Sequence, residues 1–212
     1  MHLKNIFVPF SCLNCGSAQV KNTRFCHPCF ELLFRTFHEK NPQEKSGIKI
    51  LYLLNWIPNE SDSLSKLHLE LKNTHPQVWK WLAQKITKTL IQQNRELFKA
   101  GEPLVVTLKS QSGYNHSESW GEAISQELGL NHITALEKET ISGVNHEQKK
   151  NNRADRRGLR LKSRVDLTSL SKRPIIFADD ILTTGATLKE AYRVLGEPPQ
   201  FIGLFVSHRK LH

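Results

Sequence analysis

The sequence predicts an α/β protein: a mostly parallel sheet with flanking helices, preceded by a small N-terminal module. From residue 103 onward, short apolar runs alternate with helical patterns in the order β-α-β-loop-β-α-β. Such alternation is typical of parallel sheets whose faces are covered by helices. All four cysteines lie between residues 12 and 29, which sets the N-terminal segment apart. We therefore divide the chain into a module over 1–45 and an α/β domain over 46–212.

Length and composition bound the class of protein. The chain has 212 residues, 38% of them hydrophobic and 24% charged, which fits one globular domain with a small appendage and excludes collagen-like and disordered chains. Thirty Lys and Arg stand against 20 Asp and Glu, a net charge of +10. That balance favours an anionic partner such as nucleic acid, a phosphate ester or a membrane surface.

The N-terminal segment carries neither a membrane helix nor a secretory signal. Its only apolar stretch, residues 6–10, is interrupted by Pro9. A membrane helix needs about 18 apolar residues, and a signal peptide needs about 7–15 with a small-residue cleavage site. We therefore expect a cytoplasmic protein without a transmembrane segment, in which disulfides are rare.

The cysteines form two CxxC pairs, Cys12 with Cys15 and Cys26 with Cys29. A CxxC turn brings two sulfurs toward one point, and two such turns supply the four thiolates of a tetrahedral zinc site. Four sulfurs leave no open position, so the zinc would be structural and would supply folding energy to a segment with little apolar material. The alternatives are two disulfides or a pair of redox dithiols.

The α/β domain begins with a strand and two helices. Ile48–Trp56 is mostly apolar and bounded by Gly47 and Pro58, as a buried strand would be. Ser63 begins a short helix to Lys72. Pro76 begins a longer helix to about Ala100, because its apolar residues recur four or seven apart and form one face.

The remaining elements carry the alternation. Apolar runs predict the strands, helical spacing predicts the helices, and Gly129 and Gly196 mark helix ends. In order, these are strand 103–108, helix 117–128, strand 131–136, a polar and heavily charged stretch over 138–165, strand 174–178, helix 186–195 and strand 201–206.

The strand that begins at Ile175 leads into the most informative segment of the chain. It ends in two acids, Asp179 and Asp180, and is followed by a hydroxyl-rich loop before a helix. Ligands of open α/β sheets bind beyond the carboxyl ends of the strands, and a helix N-terminus favours an anion. The loop therefore predicts a phosphate site, and the acids predict acceptors for a diol. The loop consists of Thr183, Thr184, Gly185, Ala186 and Thr187.

Two other phosphate-binding loops are excluded at this position. Gly185 has neither the second Gly nor the following Lys of GxxxxGK[ST], and GxGxxG is absent from the chain. A nucleoside triphosphatase or a Rossmann dehydrogenase is therefore not predicted. The alternative is a purely structural one, in which the acids and threonines only cap the helix.

The segment from Ile175 to Thr187 resembles the thirteen-residue phosphoribosyl diphosphate (PRPP) signature of type I phosphoribosyltransferases over its whole length. The resemblance implies that Asp179 and Asp180, the catalytic candidates, contact the ribose hydroxyls. It also implies that residues 183–187 bind the 5-phosphate and that Mg²⁺ bridges the ribose hydroxyls and the diphosphate. The implied domain fold is that of a type I phosphoribosyltransferase.

A double-CxxC module before such a domain resembles the ComF family of competence and DNA-utilisation proteins. That family carries an Arg-Gly-Phe-Asn-Gln type motif after its first core strand, where this chain has Ser-Gly-Tyr-Asn-His at 112–116. It also carries a basic segment whose spacing is kept here by Gln148, Arg153 and Arg156.

The chain departs from the family pattern in the middle of the sequence. Ser112 stands where the family has Arg, and Asn151 and Leu159 replace the Leu and Asn of the basic segment. The loop at Ser112 meets the diphosphate in the family, and Lys109 is the candidate to supply positive charge there. The departures favour PRPP binding over efficient phosphoribosyl transfer, and no residue identifies a catalytic base or an acceptor.

A basic stretch over 149–164 concentrates the charge of the chain. It holds eight basic residues and one acid, and the rest of the chain has 22 basic against 19 acidic side chains. In the transferase fold this stretch is a loop that closes over the diphosphate, but such a stretch also follows a DNA backbone or is simply solvated. The candidates for diphosphate or DNA contact are Lys109, Arg153, Arg156 and Arg157.

Three functions follow from these observations. The first is a PRPP-binding, ComF-like protein that handles single-stranded DNA in natural transformation, with other competence proteins as partners. The second is a phosphoribosyltransferase of nucleobase salvage, for which the sequence offers no base-recognition pocket. The third is a PRPP-sensing regulator that binds nucleic acid.

Overall fold

The computed structural model describes most of the α/β domain and the two cysteine turns. The described residues are 11–18 except 13, 25–29, 43–57 except 46, 65, 68, 76–98 except 93, 101–110, 115–139 and 159–209 except 167, 169 and 171.

The described chain contains one seven-stranded sheet and three α-helices with described bounds, besides helical residues at 27–29, 65 and 68. The strands are β1 (Gln43–Lys45), β2 (Ile48–Trp56), β3 (Leu104–Leu108), β4 (Asn131–Lys138), β5 (Leu161–Ser163), β6 (Ile175–Leu182) and β7 (Phe201–Arg209). The helices are α1 (Pro76–Ile86), α2 (His116–Leu128) and α3 (Ala186–Val194). A π-helical turn (Thr87–Ile91) and a 3-10 turn (Arg95–Phe98) follow α1.

The sheet is mostly parallel, as the alternation predicts. Its order is β1-β2-β7-β6-β3-β4-β5, in which only the short edge strands β1 and β5 pair antiparallel. The chain leaves β3 through α2 to reach β4 on one side, and later returns to β6 on the other side of β3. The sheet order therefore reverses between β3 and β6, the position where ligands bind in open α/β sheets.

Helices cover both faces of the sheet. On one face, α1 and α2 pack on the sheet through Trp79 and Trp120, whose ring centroids are 6.0 Å apart, and Trp120 Nε1 donates to the carbonyl of Leu204 at 3.2 Å. On the other face, α3 packs through Leu188 and Ala191. Both α2 and α3 follow the predicted spans to within one residue.

The cysteine turns belong to the α1–α2 side of the core. Cys12, Phe25 and Cys26 are at most 5% exposed and lie in the same apolar cluster as Trp79 and Trp120. The two cysteine turns are therefore attached to the domain by buried apolar contact.

The long helix predicted from Pro76 to about Ala100 is α-helical as far as Ile86, and beyond it the chain stays helical as the π turn and the 3-10 turn. The buried Asn94 separates these two turns, and its side chain donates to the Leu90 carbonyl at 2.8 Å. A side-chain amide that bonds the preceding turn competes with the helical hydrogen bonds. The predicted helix over 63–72 lies outside the described residues except Ser65 and His68, which are helical.

Three strands run beyond their predicted ends: β4 to Lys138, β6 through both acids to Leu182, and β7 to Arg209. Two edge strands, β1 and β5, occur in polar stretches where no strand was predicted. Lys162 on β5 and Arg164 just after it form ion pairs with Glu137 of β4, at 3.0 and 3.6 Å. Charged edge strands lack the apolar alternation that reveals a strand in a sequence.

The ladder between β3 and β6 ends early. The two strands pair only as far as Val106 with Phe177, whereas β6 stays paired to β7 as far as Leu182 with His208. Past that point the buried Ser117 joins them: its Oγ accepts from Leu108 N at 3.3 Å and donates to the Ala178 carbonyl at 2.8 Å. The sheet therefore opens on one side of β6 from Ala178 onward.

Helix α2 lies unusually close to β3 at this position. A Cβ on Gly121 would clash with the side chains of Thr107 and His132, which themselves lie 2.9 Å apart between Oγ1 and Nε2. The close approach places Ser117 within reach of both strands. None of the described helices has the length and apolar character that crossing a membrane would require.

Replacing Ser117 with Ala should lower the free energy of unfolding by about 1–3 kcal/mol, because it leaves a buried amide and a buried carbonyl without their partner. Urea denaturation measures this. Ser119→Ala is the control, since Ser119 is half-buried on the same helix and its hydroxyl joins neither strand. Equal midpoints for the two variants would contradict the bridging role of Ser117.

Candidate functional site

A cleft of about 660 Å³ lies at the carboxyl edge of the sheet, where the sheet order reverses. Its walls come from the ends of β2, β3, β4, β6 and β7 and from the start of α2, so that residues far apart in sequence face one space. The lining residues are Trp56, Leu108, Lys109, Ser110, Asn115, His116, Ser117, Lys138, Leu159, Asp179, Asp180, Ile181, Thr183, Thr187 and Arg209.

Asp179 and Asp180 lie on the open side of the cleft floor, within β6. Each uses one carboxylate oxygen to accept the amide of the next residue, at 3.0 Å for Asp179 and 2.8 Å for Asp180. Desolvation at the floor, followed by repulsion from Asp180, raises the pKa of Asp179 to about 8. Asp179 can thus hold a proton at neutral pH, and the carboxylate oxygens of both residues can accept hydrogen bonds or cations from a ligand.

The hydroxyl-rich loop leads directly from the acids into α3. Thr183 and Thr187 line the cleft, while Thr184 is exposed and its Oγ1 accepts from Ala186 N at 3.3 Å. Gly185 is the N-cap of α3 with φ of 80°, a conformation that suits glycine. Glycine offers no side-chain acceptor, so the first turn of α3 has no side-chain cap from this position.

Three cations line the cleft from different strands. Lys109 follows β3, as predicted from the sequence, and Lys138 and Arg209 end β4 and β7. Lys138 is close enough to lower the pKa of Asp179 by its charge, in opposition to burial. Sequence reasoning missed Lys138 and Arg209, although both stand at the carboxyl end of a strand, which is the signal that could have identified them.

Asn115 fixes the loop between β3 and α2. Its Nδ2 donates to the Leu108 carbonyl at 2.8 Å and to Glu118 Oε2 at 3.0 Å, and its Oδ1 accepts from Glu118 N at 3.2 Å. Asn115 is the N-cap of α2, and it joins the cleft wall to the helix. Asn115 and His116 both line the cleft, whereas Ser112 lies outside the described residues.

The basic stretch is described only at its C-terminal part. Arg153, Arg156 and Arg157 lie outside the described residues. Before and after the gap, Lys138 and Leu159 both line the cleft, and Glu139 N donates to the Arg160 carbonyl at 3.0 Å. A hydrogen bond from Lys162 lowers the pKa of Glu137 on β4. Lys162 and Arg164, two of the eight basic residues, both form ion pairs with Glu137.

The four cysteines form a possible metal site, and none of them lines the cleft. Their sulfurs all lie within 4.8 Å of one another, and among the described residues no other group of three His, Cys, Asp or Glu is gathered in this way. Cys15 Sγ and Cys26 Sγ are 3.6 Å apart, and Gly16 completes the first turn with φ of 74° and a 2.8 Å bond from its N–H to the Cys12 carbonyl.

Backbone amides point at the sulfurs. Burial raises the pKa of Cys12, but the N–H groups of Cys15, Cys26 and Asn14 outweigh it and lower that pKa to about 6. For Cys26, the Cys29 amide lowers the pKa, and burial with the neighbouring thiols outweighs it and raises the pKa to about 12. Amide donors around crowded sulfurs are what a cluster of thiolates requires.

Comparison with known proteins assigns the chain to no family. The chain matches no protein-family model, and it matches no curated protein.

The pKa of Asp179 predicts a pH-dependent stability. Because the folded pKa of about 8 lies above the ordinary 3.8, the folded chain holds its proton more tightly, and stability is lost as pH rises through about 8. Asp179→Asn does not titrate. The difference in melting temperature, variant minus wild type, should therefore increase from about pH 5 to about pH 9. At the upper end of this range the variant should melt above the wild type.

Differential scanning fluorimetry across this pH range measures the effect. Asp166→Asn is a control of opposite sign, because hydrogen bonds from Thr168 lower the pKa of Asp166 and stabilise its ionised form. That variant should melt below the wild type at neutral pH. Parallel curves for Asp179→Asn and the wild type would contradict the raised pKa.

Proposed function

We propose that the cleft binds PRPP with Mg²⁺ and that the domain is related in fold to type I phosphoribosyltransferases. The observation that carries the proposal is that the acid pair, Thr183 and Thr187 line one cleft at the point where the sheet order reverses. A sugar phosphate needs both an anion site and diol acceptors within one sugar's breadth, and consecutive segments of β6 and α3 supply them.

Each group of the proposed ligand has a counterpart in the cleft. The loop and the N-terminus of α3 would hold the 5-phosphate, and Asp179 and Asp180 would accept the ribose hydroxyls. Lys109 and Lys138, at the ends of β3 and β4, would neutralise part of the negative charge of the diphosphate. Mg²⁺ prefers oxygen ligands and retains several water molecules. It would therefore be coordinated by the ribose hydroxyls and the diphosphate, and not by protein ligands alone.

Binding, and not efficient transfer, is the function that the cleft supports best. A transferase must stabilise the leaving diphosphate and position a nucleophile. Asn115 holds the β3 loop in place, but within the described chain that loop contributes one cation, Lys109. Phosphoribosyl transfer to a free base is therefore the second candidate.

Mg²⁺ with PRPP should raise the melting temperature of the wild type, since a ligand that binds only the folded state at 100 times its Kd stabilises it by about 2.7 kcal/mol. The double variant Asp179→Asn/Asp180→Asn should lose this increment. The ligand-induced shift is the quantity compared, because the variants change stability without ligand. Asp166→Asn, at a residue that does not line the cleft, should keep the full shift, and an undiminished shift in the double variant would refute the site.

We propose that the four cysteines hold one structural zinc ion. Tetrahedral ligands at about 2.3 Å from zinc are separated by about 3.8 Å. The 3.6 Å between Cys15 and Cys26 and the overall 4.8 Å limit agree with that separation. Since Cys12 and Cys26 are buried in the α1–α2 core, the zinc would stabilise the domain as well as its own turns.

Elemental analysis of the purified protein should find about one zinc per chain, and Cys26→Ser should lower both the zinc content and the melting temperature. A strong chelator should reproduce the thermal effect in the wild type. Protein purified under reducing conditions with no zinc and full stability would exclude the proposal.

We also propose that the basic stretch over 149–164 binds single-stranded DNA, in keeping with the ComF resemblance and a cytoplasmic role in natural transformation. The support is the +7 charge of this stretch and the position of Lys138 and Leu159, on either side of the gap, at the cleft. In the alternative, the same cations bind only the diphosphate of PRPP. Neutralising them should then leave the salt dependence of DNA binding unchanged.

Binding of a labelled oligothymidylate, measured by anisotropy at several salt concentrations, should weaken with a slope of about −0.7 per neutralised phosphate. Substituting Arg153, Arg156 and Arg157 together by Gln should reduce the magnitude of this slope by up to about 2. The matched control neutralises Lys80, Lys85 and Lys88, which lie on α1 and the turn that follows it and do not line the cleft. An unchanged slope in the arginine variant would place DNA elsewhere.

A further inference from the structure

A carboxylate outside the cleft lining connects helix α2 to strand β4. Glu118 Oε2 accepts from Asn115 Nδ2 at 3.0 Å, and Glu118 Oε1 accepts from Thr134 Oγ1 at 2.9 Å. Glu118 is half-buried and does not line the cleft, whereas Asn115 does. In a capping box, the third residue of a helix bonds the backbone N–H of the N-cap residue. Here the carboxylate bonds the side chain of the N-cap residue, so it fixes the orientation of the Asn115 carboxamide.

A bulge in β4 brings Thr134 to this carboxylate. The register between β3 and β4 shifts after Val106, where β4 contains one residue more than β3. As a result, Ala135 and Leu136 both pack in the apolar cluster on the α3 side of the sheet, while the Thr134 hydroxyl reaches Glu118 on α2. Bulges occur often beside functional sites, where they redirect a side chain.

The hydrogen bonds behind Glu118 run in one direction. Thr134 gives its single hydroxyl proton to Glu118 and therefore accepts from Thr107 Oγ1, at 3.4 Å. Thr107 is fully buried, and because its own proton goes to Thr134, it accepts from His132 Nε2 at 2.9 Å. Donors thus converge on Glu118 from Thr134 and from Asn115. A carboxylate accepts at both oxygens, whereas a carboxamide accepts at only one.

Asn115 transmits this restraint to the cleft wall. Its Nδ2 also donates to the Leu108 carbonyl at 2.8 Å. The N–H of the same peptide unit, which belongs to Lys109, donates to the Leu136 carbonyl of β4 at 2.7 Å. Both polar groups of the peptide unit before Lys109 are therefore held, and Lys109 lines the cleft.

We propose that Glu118 is a positioning residue for the diphosphate end of the cleft. Held by Thr134, it orients Asn115, and Asn115 holds the peptide unit that precedes Lys109. This role rests on the proposed function, in which Lys109 neutralises part of the charge of the diphosphate. Glu118 therefore favours the binding of an anion although it is itself an anion.

The sign of the effect separates positioning from charge alone. Removing a negative charge near an anion site strengthens anion binding by electrostatics, whereas loss of positioning weakens it. Glu118→Ala, which removes both acceptors, should weaken the binding of PRPP with Mg²⁺ by about tenfold or more. Ribose 5-phosphate, which lacks the diphosphate, should keep its affinity to within about twofold. Glu118→Gln should recover part of the PRPP affinity, because it keeps one acceptor.

Calorimetry with the two ligands measures these affinities, and two further variants complete the experiment. Glu122→Ala is the matched control, because Glu122 lies one turn later on α2, is exposed and does not line the cleft. It removes the same charge and should leave both affinities unchanged. Thr134→Val removes the hydroxyl without changing the charge or the shape of the side chain, and it should weaken PRPP selectively, by less than Glu118→Ala.

The role of Glu118 is overturned if Glu118→Ala binds PRPP as tightly as the wild type or more tightly. It is also overturned if the affinities for PRPP and ribose 5-phosphate fall equally, since an equal loss indicates general damage to the fold. Where Glu118→Ala does not fold, Thr134→Val is judged by the same two criteria. A wild type that binds neither ligand refutes the proposed function, whereas a wild type that binds both, with no selective loss in the variants, refutes only the role of Glu118.

Discussion

The early separation of β3 and β6 is the constraint on which the site depends. Neighbouring parallel strands satisfy one another's amides and carbonyls, so two strands that part must find other partners. Ser117 provides them for Leu108 and Ala178, and Asn115 provides one for the Leu108 carbonyl. The gap that results exposes one side of β6 where it carries Asp179 and Asp180, while the ladder to β7 keeps that segment extended. An opening inside the sheet, and not a loop laid on its surface, forms the floor of the cleft.

The charges around this opening are arranged by strand order. The acid pair occupies the middle strand, Lys109 and Lys138 end the strands on one side, and Arg209 ends the strand on the other. Burial makes the ionised form of Asp179 unfavourable, which raises its pKa. The free-energy cost of a buried carboxylate is typical of ligand-binding sites, where the ligand supplies the missing hydrogen bonds or cations. The raised pKa of Asp179 is therefore consistent with the proposed ligand.

The cysteine site contributes to the same architecture from a distance. Cys12, Phe25 and Cys26 extend the core formed by Trp79 and Trp120, and Trp120 lies on the helix that carries Ser117. A metal held by the four sulfurs would therefore support α2 as well as the N-terminal turns. The helix is in turn restrained by Gly121, whose lack of a side chain allows close contact with Thr107 and His132. These contacts connect the N-terminal segment to the residues that hold the cleft open.

Local sequence determined the features that depend on neighbouring residues: the alternation of β6, α3 and β7, the CxxC pairs, and the acid pair followed by a threonine loop. Each is encoded within about a dozen positions by apolar periodicity or by ligand spacing. Tertiary structure decided the rest. The π turn after Ile86 and the buried Asn94 that follows it interrupt the long helix, and the charged edge strands carry no apolar pattern. Lys138, Arg209 and Trp56 join the site only because strand order brings the ends of β4, β7 and β2 to one edge. Strand order is set by burial on both faces of the whole sheet, a long-range balance that no single segment of the chain contains.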